Sequence, residues 1–393
     1  MAIQTFTAGQ VLTAAQMNSL QANDYNQTVS TKTDSYTLVA ADKGTRVVMN
    51  KATATTITVN TSLFSAGDTL FIQNINSGVC TVTAGTATVN TASSLALSQW
   101  QGGVLYFTSA SAAIFFLAGS VAGITIDYLI VGGGAGAGGA DNSTGGGGWY
   151  GGGGGAGGMR STVTGTGGGG SLESAIVLTK TNTYPVVIGA GGAGGAAGAA
   201  AGVNGTRGNQ SSFAGILSVG GGFGSGARAT FSFSGGSGGS GGGSGSSNST
   251  AGPIGISVVT GQGYDGGLGV SGGVGGGGGG GAGAAGGAGS SRTQAAGVAT
   301  DITGSSVTYS RGGASGTNNG SNADGGANTG NGGDTSSATN GAGKSGGSGV
   351  VVLRYADSLT ITFGVGLTGT ESSASGGYKR ATITAGSGNV SWA

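Results

Sequence analysis

Along residues 35–120 the apolar positions fall into short runs: "YTLVAAD", "TRVVMN", "TTITVN", "DTLFIQNI", "VCTVTAG", "LALSQW", "VLYFTSA" and "AAIFFLA". Each is rich in Val, Ile, Leu, Thr or Phe and bounded by Gly, Asn, Asp or Ser, the pattern of successive β-strands. The spacing predicts a small all-β sandwich or barrel with a core of its own. Trp100, Tyr106, Phe107, Phe115 and Phe116 lie inside strand-like runs and are assigned to that core. Ahead of it, "VLTAAQMNSLQANDYN" carries the one helical signal. Thr13 and Gln16 form a capping box, and Met17 and Leu20 share a face. Leu12, Met17 and Leu20 are too few apolar anchors to hold a lone helix. Residues 1–34 are therefore read as an attachment segment that docks on copies of the chain or on a partner.

Beyond residue 120 the pattern changes. "IDYLIVGGGAG" (126–136), "TYPVVIGAGG" (183–192), "FAGILSVGGG" (213–222) and "GSGVVVLRY" (347–355) each join an apolar strand-like run to glycine. Strand and polyproline-II rise are close, ~3.3 and ~3.1 Å per residue, so one continues into the other. The strands at 126–131, 186–188, 216–219 and 350–355 are expected to form one β platform, with the longer inserts at the far ends of the glycine segments. Residues 356–393 ("SLTITFGVGL", "YKRATITAG", "NVSWA") return to an ordinary β pattern as a C-terminal element. The expected class is mainly β. Its order is a short N-terminal helix (1–34), a β-sandwich-like module (35–120), a glycine-rich domain (121–355) and the C-terminal element (356–393).

Glycine supplies 81 of the 219 residues from Val131 to Gly349. Collagen needs Gly at every third position and abundant Pro, and this chain has two prolines. Polyglycine-II helices fit better. Three residues make a turn, the N–H and C=O groups point outward, and neighbours without side chains approach closely enough to bond. The seven consecutive glycines at 275–281 suit a surrounded helix, and "GGSGGSGGGSG" (235–245) suits an edge helix. A flexible Gly/Ser linker is the alternative, but it has no need of hydrophobic strands leading in and out.

Charge narrows the function classes. Fourteen basic and thirteen acidic residues give a net charge of +1 with no Lys/Arg cluster, which argues against nucleic acid. Without histidine, Ser-His-Asp or Cys-His catalysis and His-ligated metal sites are impossible. The glycine runs after strands match a dinucleotide fingerprint by letters, but more glycine follows where a helix is required. Glu173 and Glu371 with eleven scattered aspartates offer no compelling glycosidase pair. "ADGGANTGNGGD" (323–334) does not keep calcium-repeat spacing. The uncharged stretch 102–126 is broken by Ser, Thr and Gly and alternates as strands do, so no membrane span is expected. Cys80 is read as a small buried hydrophobe. No catalytic residue, cofactor or metal is expected.

In this order the blocks resemble bacteriophage tail-fibre and glycine-rich adhesin proteins. The opening "FTAGQVLTAAQMNSLQ" looks like the segment that begins many phage fibre proteins. "SYTLVAADKGTRVVMN" through "LFIQNINSGVCTVTAG" to "VLYFTSA" is similar to a β module of minor tail proteins. "DYLIVGGGAGAGG", "TYPVVIGAGGAGG", "NGTRGNQSSFAGILSVGGG" and "GGSGVVVLRY" look like the glycine-rich domain of phage fibres and adhesins. The resemblance implies a virion protein at a tail fibre or tip, a homotrimer, other tail or baseplate proteins as partners, and a host surface receptor (glycan or outer protein). Polar and aromatic inserts interrupt the glycine, and Trp149, Tyr150, Phe231, Phe233, Tyr264 and Tyr309 are the candidate receptor-binding rings. The same rings packing over the platform or the bundle is the other reading. A non-adhesive spacer or decoration fibre, and an ice-binding surface, are the alternative functions.

Overall fold

The computed structural model describes residues 13, 27–118, 123–141, 149–180, 182–198, 201–228, 230, 233–248, 250–272, 275–291, 293–316, 322–336 and 341–393. The helix expected around Leu12, Met17 and Leu20 lies outside them. The chain forms two compact units, Met1–Ala122 and Gly123–Ala393, each described in turn.

The first unit is built from β1 (Val29–Lys32), β2 (Tyr36–Thr37), β3 (Arg46–Met49), β4 (Thr55–Val59), β5 (Thr69–Asn74), β6 (Cys80–Ala84), β7 (Thr88–Asn90), β8 (Ala96–Leu97), β9 (Gly102–Ser109) and β10 (Ala112–Ala118). From β1 to β9 its strands alternate between two sheets. One runs β1-β3-β5-β9-β10-β7 and the other β2-β4-β6-β8. Pairing is parallel along β1-β3-β5 and β2-β4-β6, so Val29, Arg46 and Phe71 stack in one sheet and Tyr36, Ile57 and Val82 in the other. Only β9, β10 and β8 bring antiparallel pairing. This is a solenoid-like or barrel-like arrangement of two sheets about one core, in keeping with the expected small all-β module, and its parallel pairing is what strand spacing did not show. From β1 to β9 the links are too short for a parallel crossover back into the same sheet, which needs a dozen or more residues, so each strand switches sheets; β9 and β10 close the unit as an antiparallel hairpin. Leu70, Ile72, Leu105, Phe107, Ala113 and Phe115 are among the side chains filling the core. Phe64 stacks on Phe107 at 4.4 Å.

The second unit is organised by one sheet. Its strands are β11 (Gly123–Val131), β12 (Met159–Ser161), β13 (Ile176–Thr179), β14 (Tyr184–Val187), β15 (Ser211–Phe213), β16 (Ile216–Ser218), β17 (Val298–Thr300), β18 (Val307–Tyr309), β19 (Val350–Ala356), β20 (Ile361–Phe363), β21 (Leu367–Glu371) and β22 (Tyr378–Trp392). The order β12-β11-β19-β22-β14-β15-β16 places all four expected platform strands in one sheet. The C-terminal β22 runs through its middle, pairing β19 through Tyr378–Ile383 and β14 through Ser387–Val390. Gly386, at φ +99°, stands where β22 passes from one partner to the other. A Cβ there would lie 1.8 Å from the Gly366 carbonyl oxygen. The tail is thus structural to the platform.

The sheet is buried on both faces, which explains the unbroken apolar runs of β11 and β19. Ile126, Tyr128, Ile130, Val351, Leu353 and Tyr355 point into one core, closed by Phe213 and Trp392. Leu129, Val131, Val350 and Val352 point into the other, with Met159, Ile302 and Tyr309.

Glycine segments leave this sheet and bond to one another with a period of three. Along 132–140, Gly132, Ala135 and Gly138 donate to the carbonyls of Gly158, Gly155 and Gly152 at 2.9–3.0 Å. Gly133, Gly136 and Gly139 donate to Asn209, Thr206 and Val203. Gly134, Ala137 and Ala140 donate to Gly347, Lys344 and Gly341. Nine successive donors thus serve three neighbours in rotation, all running the opposite way. The segment's carbonyls accept from Gly221, Gly224 and Ala227, and from Gly192, Gly195 and Gly198. The heptaglycine behaves alike: Gly277 and Gly280 donate to Ser244 and Gly241, Gly278 and Gly281 to Gly287 and Ala284, and Gly279 to Gly313. Extended backbone has outward-pointing donors that must be paired when buried, and this arrangement pairs them.

A surrounded segment does not require glycine throughout, contrary to the expectation. Ala135, Ala137 and Ala156 are fully buried, because their methyl groups enter gaps between segments. At Gly136 the gap is filled: a Cβ would sit 1.9 Å from the Ala193 carbonyl oxygen. Gly136→Val should therefore break several lattice bonds, each worth about 1 kcal/mol net and more where a group stays buried unpaired. The thermal midpoint should fall clearly, whereas Ala190→Ser, on an exposed position, should leave it unchanged. Amides of 132–140 and 275–281 should exchange slowly with deuterium.

Candidate functional site

The glycine segments carry the chain from the platform to a common far end. The nine residues from Gly132 to Ala140 lead from the end of β11 to Asp141. At that level Asp141 bridges Trp149 and Gly198, and Ser247 bridges Ser271. Ala140 donates to the Gly341 carbonyl, and Ser246 N–H to that of Tyr150. Small polar side chains finish the lattice there. The Tyr150 N–H donates to Ser246 Oγ at 2.8 Å, Gly245 to Ser225 Oγ at 2.6 Å and Gly316 to Thr335 Oγ1 at 2.8 Å. The buried Asp334 carboxylate accepts from the Ala314 N–H at 2.8 Å, and Asp324 accepts from Ser345 at 2.8 Å. The aspartates of the 323–334 stretch thus receive backbone donors.

The six candidate rings are not gathered at one place. Phe231 lies outside the described residues. Trp149 and Tyr150 stand at the far end but are 7% and 8% exposed, packed into the bundle and not presented by it. Phe233 is half-buried near the far end with the Arg228 guanidinium 5.7 Å from its ring centre. Tyr264 and Tyr309 are at the platform end. Tyr264 follows Gln262, whose carbonyl accepts from Met159 of β12, and it is half-buried in a small cleft with Ser257, Thr260 and Asp265. Tyr309 is buried in the second platform core. The insert 290–311 that carries it folds over the platform through the β17–β18 hairpin, where Thr300 Oγ1 donates to the Val163 carbonyl at 2.7 Å. Inserts 254–267 and 290–311 therefore turn back at the platform, not at the far end. Their Val and Ile residues (Val258, Val259, Val298, Ile302, Val307) are the overlooked signal.

Strand-like runs misled in the other direction in the first unit. Phe107 and Phe115 are core, but Phe116, Tyr106 and Trp100 are exposed. Strict alternation along "VLYF" and "AIFFL" separates the two sets, because neighbouring strand residues face opposite ways.

One surface feature went unread in the sequence. A groove of about 580 Å³ lies beside β14. Val187, Val219 and Val258 wall it, and exposed Arg207, Asn209 and Gln210 from "TRGNQ" border it. Glycine backbone (Gly189, Gly208, Gly220, Gly238) forms the remainder. The volume is within the range of ligand clefts, and guanidinium and carboxamide groups suit a hydroxyl- or carboxylate-bearing ligand.

The charged groups of the platform are tied into structure. Glu173 takes a two-pronged hydrogen bond from Arg160 (2.6 and 2.8 Å) and one from the Tyr128 hydroxyl. Glu371 accepts from the Tyr355 hydroxyl at 2.8 Å and from the Ile361 N–H, with Lys379 at 3.6 Å. Asp127 pairs with Arg354 across β11 and β19 at 2.7 Å. Burial, then the neighbouring carboxylate, pushes Tyr128 and Tyr355 above the usual tyrosine range, and burial raises Tyr309. Among the described residues no three acidic or Cys side chains are grouped to hold a metal, and no helix is long and apolar enough to cross a membrane.

A β platform buried on both faces and a threefold backbone lattice define a glycine-rich structural domain. Residues 118–356, more than half of the chain, match the model of a family described as a glycine-rich domain, and the chain belongs to that family. No curated protein and no solved structure matches it.

Two outcomes follow from this geometry. Tyr128, Tyr309 and Tyr355 should stay protonated at pH values where free tyrosine ionises, as read by ultraviolet difference absorbance. Their folded values are raised above the unfolded one, so their contribution to stability is complete below pH ~10 and is lost as pH climbs above it. Tyr309→Ala should cost about 3 kcal/mol in chemical unfolding, as expected for removing a large buried ring.

Proposed function

We propose that this chain is a structural protein of a bacteriophage virion, a tail fibre or tip adhesin that attaches to the host through connections carried by polyglycine-II helices. The observation behind this reading is the convergence of the glycine segments. Asp141, Trp149 and Gly198 meet at the end of these segments opposite the platform, and Ser246 bonds Tyr150 there. The threefold rotation of donors along 132–140 is what polyglycine-II packing requires. Such a bundle spends almost no side chains on its interior, leaving the connections between segments free to vary. The proposal includes assembly as a homotrimer, with other tail or baseplate proteins and a host surface glycan or outer protein as partners. Residues 1–34 serve its attachment.

Within this reading Phe233, together with Arg228, is the described ring best placed for a receptor. Contact there combines an aromatic face with few charges, so adsorption should respond weakly to salt, unlike adhesion screened over ~8–10 Å at physiological ionic strength. Replacing 229–232 and 337–340 with Gly-Ser linkers in the full chain, and separately Phe233→Ala, should reduce host adsorption about tenfold, or ~1.4 kcal/mol, with the melting profile retained. Full adsorption by the linker variant would instead identify a non-adhesive spacer or decoration fibre.

A further inference from the structure

Segment 219–227 has neighbours on five sides and lacks a sixth. Gly221, Gly224 and Ala227 donate to Gly133, Gly136 and Gly139, while Gly222 and Ser225 donate to Ser240 and Gly243. Its carbonyls accept from three further stretches, 152–158, 202–208 and 236–239. The third row of donors is Gly220, Phe223 and Gly226. Gly226 finds a side chain, Asn204 Oδ1 at 2.8 Å. The N–H groups of Gly220 and Phe223 meet no acceptor among the described residues. The missing neighbour belongs between 202–210 and 233–239. Gly136 bonds Thr206 and Gly242 bonds Gly236, which places those two stretches beside the neighbours already in position. The groove beside β14 opens there, lined by 207–210 of one stretch, Gly238 of the other, and Val219 and Gly220.

We propose that this groove is a vacant place in the backbone lattice, filled by an extended peptide segment of another protein lying alongside 219–223. Three observations select a peptide. Gly220 is buried, so its unpaired N–H does not stand at an open edge of the bundle, and a buried donor left unpaired is costly. The open donors recur every third residue, which is the repeat of carbonyls along extended threefold backbone. Glycine at 208, 220 and 238 lets another backbone approach as closely as the segments approach one another. Side chains add selectivity. Val187 and Val258 are 36% and 52% exposed and offer contact to one aliphatic residue. The exposed Arg207 guanidinium lies 5.9 Å from the Phe223 ring centre and forms no ion pair with a described residue, so it suits an acidic residue. The occupant is thus a short stretch of Gly and Ala with one aliphatic and one acidic side chain. It spans roughly four or five residues, since it runs beside 219–223 at similar rise. The inference does not depend on what the far end of the bundle binds.

The test pans the full-length chain against a displayed library of random hexapeptides, after removing those that bind the Val258→Asp protein. Val258 and Arg207 are exposed, and Val258→Asp and Arg207→Gln should keep the wild-type melting profile. Surviving sequences should be rich in Gly and Ala and carry Asp or Glu. Made as capped synthetic peptides, they should bind the wild type at least tenfold more tightly than either variant. They should also slow deuterium exchange at Gly220 and Phe223 about tenfold and leave 132–140 unchanged. No enriched peptide, or peptides that bind wild type and variants equally, would overturn the proposal. Protection of Gly220 by N-acetylglucosamine or acetate and by no peptide would overturn it in favour of a small-molecule cleft. Self-association of the wild type that Val258→Asp abolishes would overturn it in favour of a second copy of the chain.

Discussion

The second unit depends on hydrogen bonds between backbones that have no regular partner of their own. In a helix the donors are satisfied inside the segment, and in a sheet by two neighbours. Along 132–140 three neighbours share the donors in rotation and further segments supply the donors for its carbonyls. Glycine permits this because a Cβ would meet a carbonyl oxygen at about 2 Å at many of these positions, as at Gly136, Gly241 and Gly277. The cost is conformational. Ordering a residue costs ~1–2 kcal/mol, and glycine loses the most freedom, whereas a hydrogen bond returns only about 1 kcal/mol net. A lattice of such bonds does not stabilise itself by that comparison.

The platform supplies what is missing. Its sheet buries apolar side chains on both faces, and β11, β14, β16 and β19 lead directly into or out of glycine segments. A strand in fixed register delivers the next residues in fixed register, so the first lattice bonds form between backbones already held in place. The C-terminal β22 is central to this, since it joins the β11–β19 pair to the β14–β15 pair. Phe213, Tyr355 and Trp392 then pack edge to face over the joint. Side chains concentrate at the platform, and the bundle is left to backbone, buried serines and a few carboxylates.

Much of this was legible in the residues themselves. Apolar runs abutting glycine marked the four platform strands, because a strand buried on both faces has no polar alternation. Alternation also marked the first unit as β. Absence of histidine settled which catalytic constellations are impossible. The candidate rings were less legible. Phe233, Tyr264 and Tyr309 look alike in sequence, each flanked by small or polar residues, yet one lies near the far end, one lines a platform cleft and one is core.

Tertiary structure decided the rest, for reasons of distance. Whether β1, β3 and β5 pair in parallel or antiparallel fashion is invisible in strand spacing, and the short links between sheets resolve it only once a second sheet exists to receive the alternate strands. Whether an insert turns at the platform or at the far end depends on which segment it bonds, and identical glycines carry no address. The groove beside β14 joins residues some seventy positions apart and so has no local signature. Sequence by itself determined the materials, β-strands and side-chain-free extended backbone. The pairing of backbones, which side chains do not encode where there are none, decided how they are arranged.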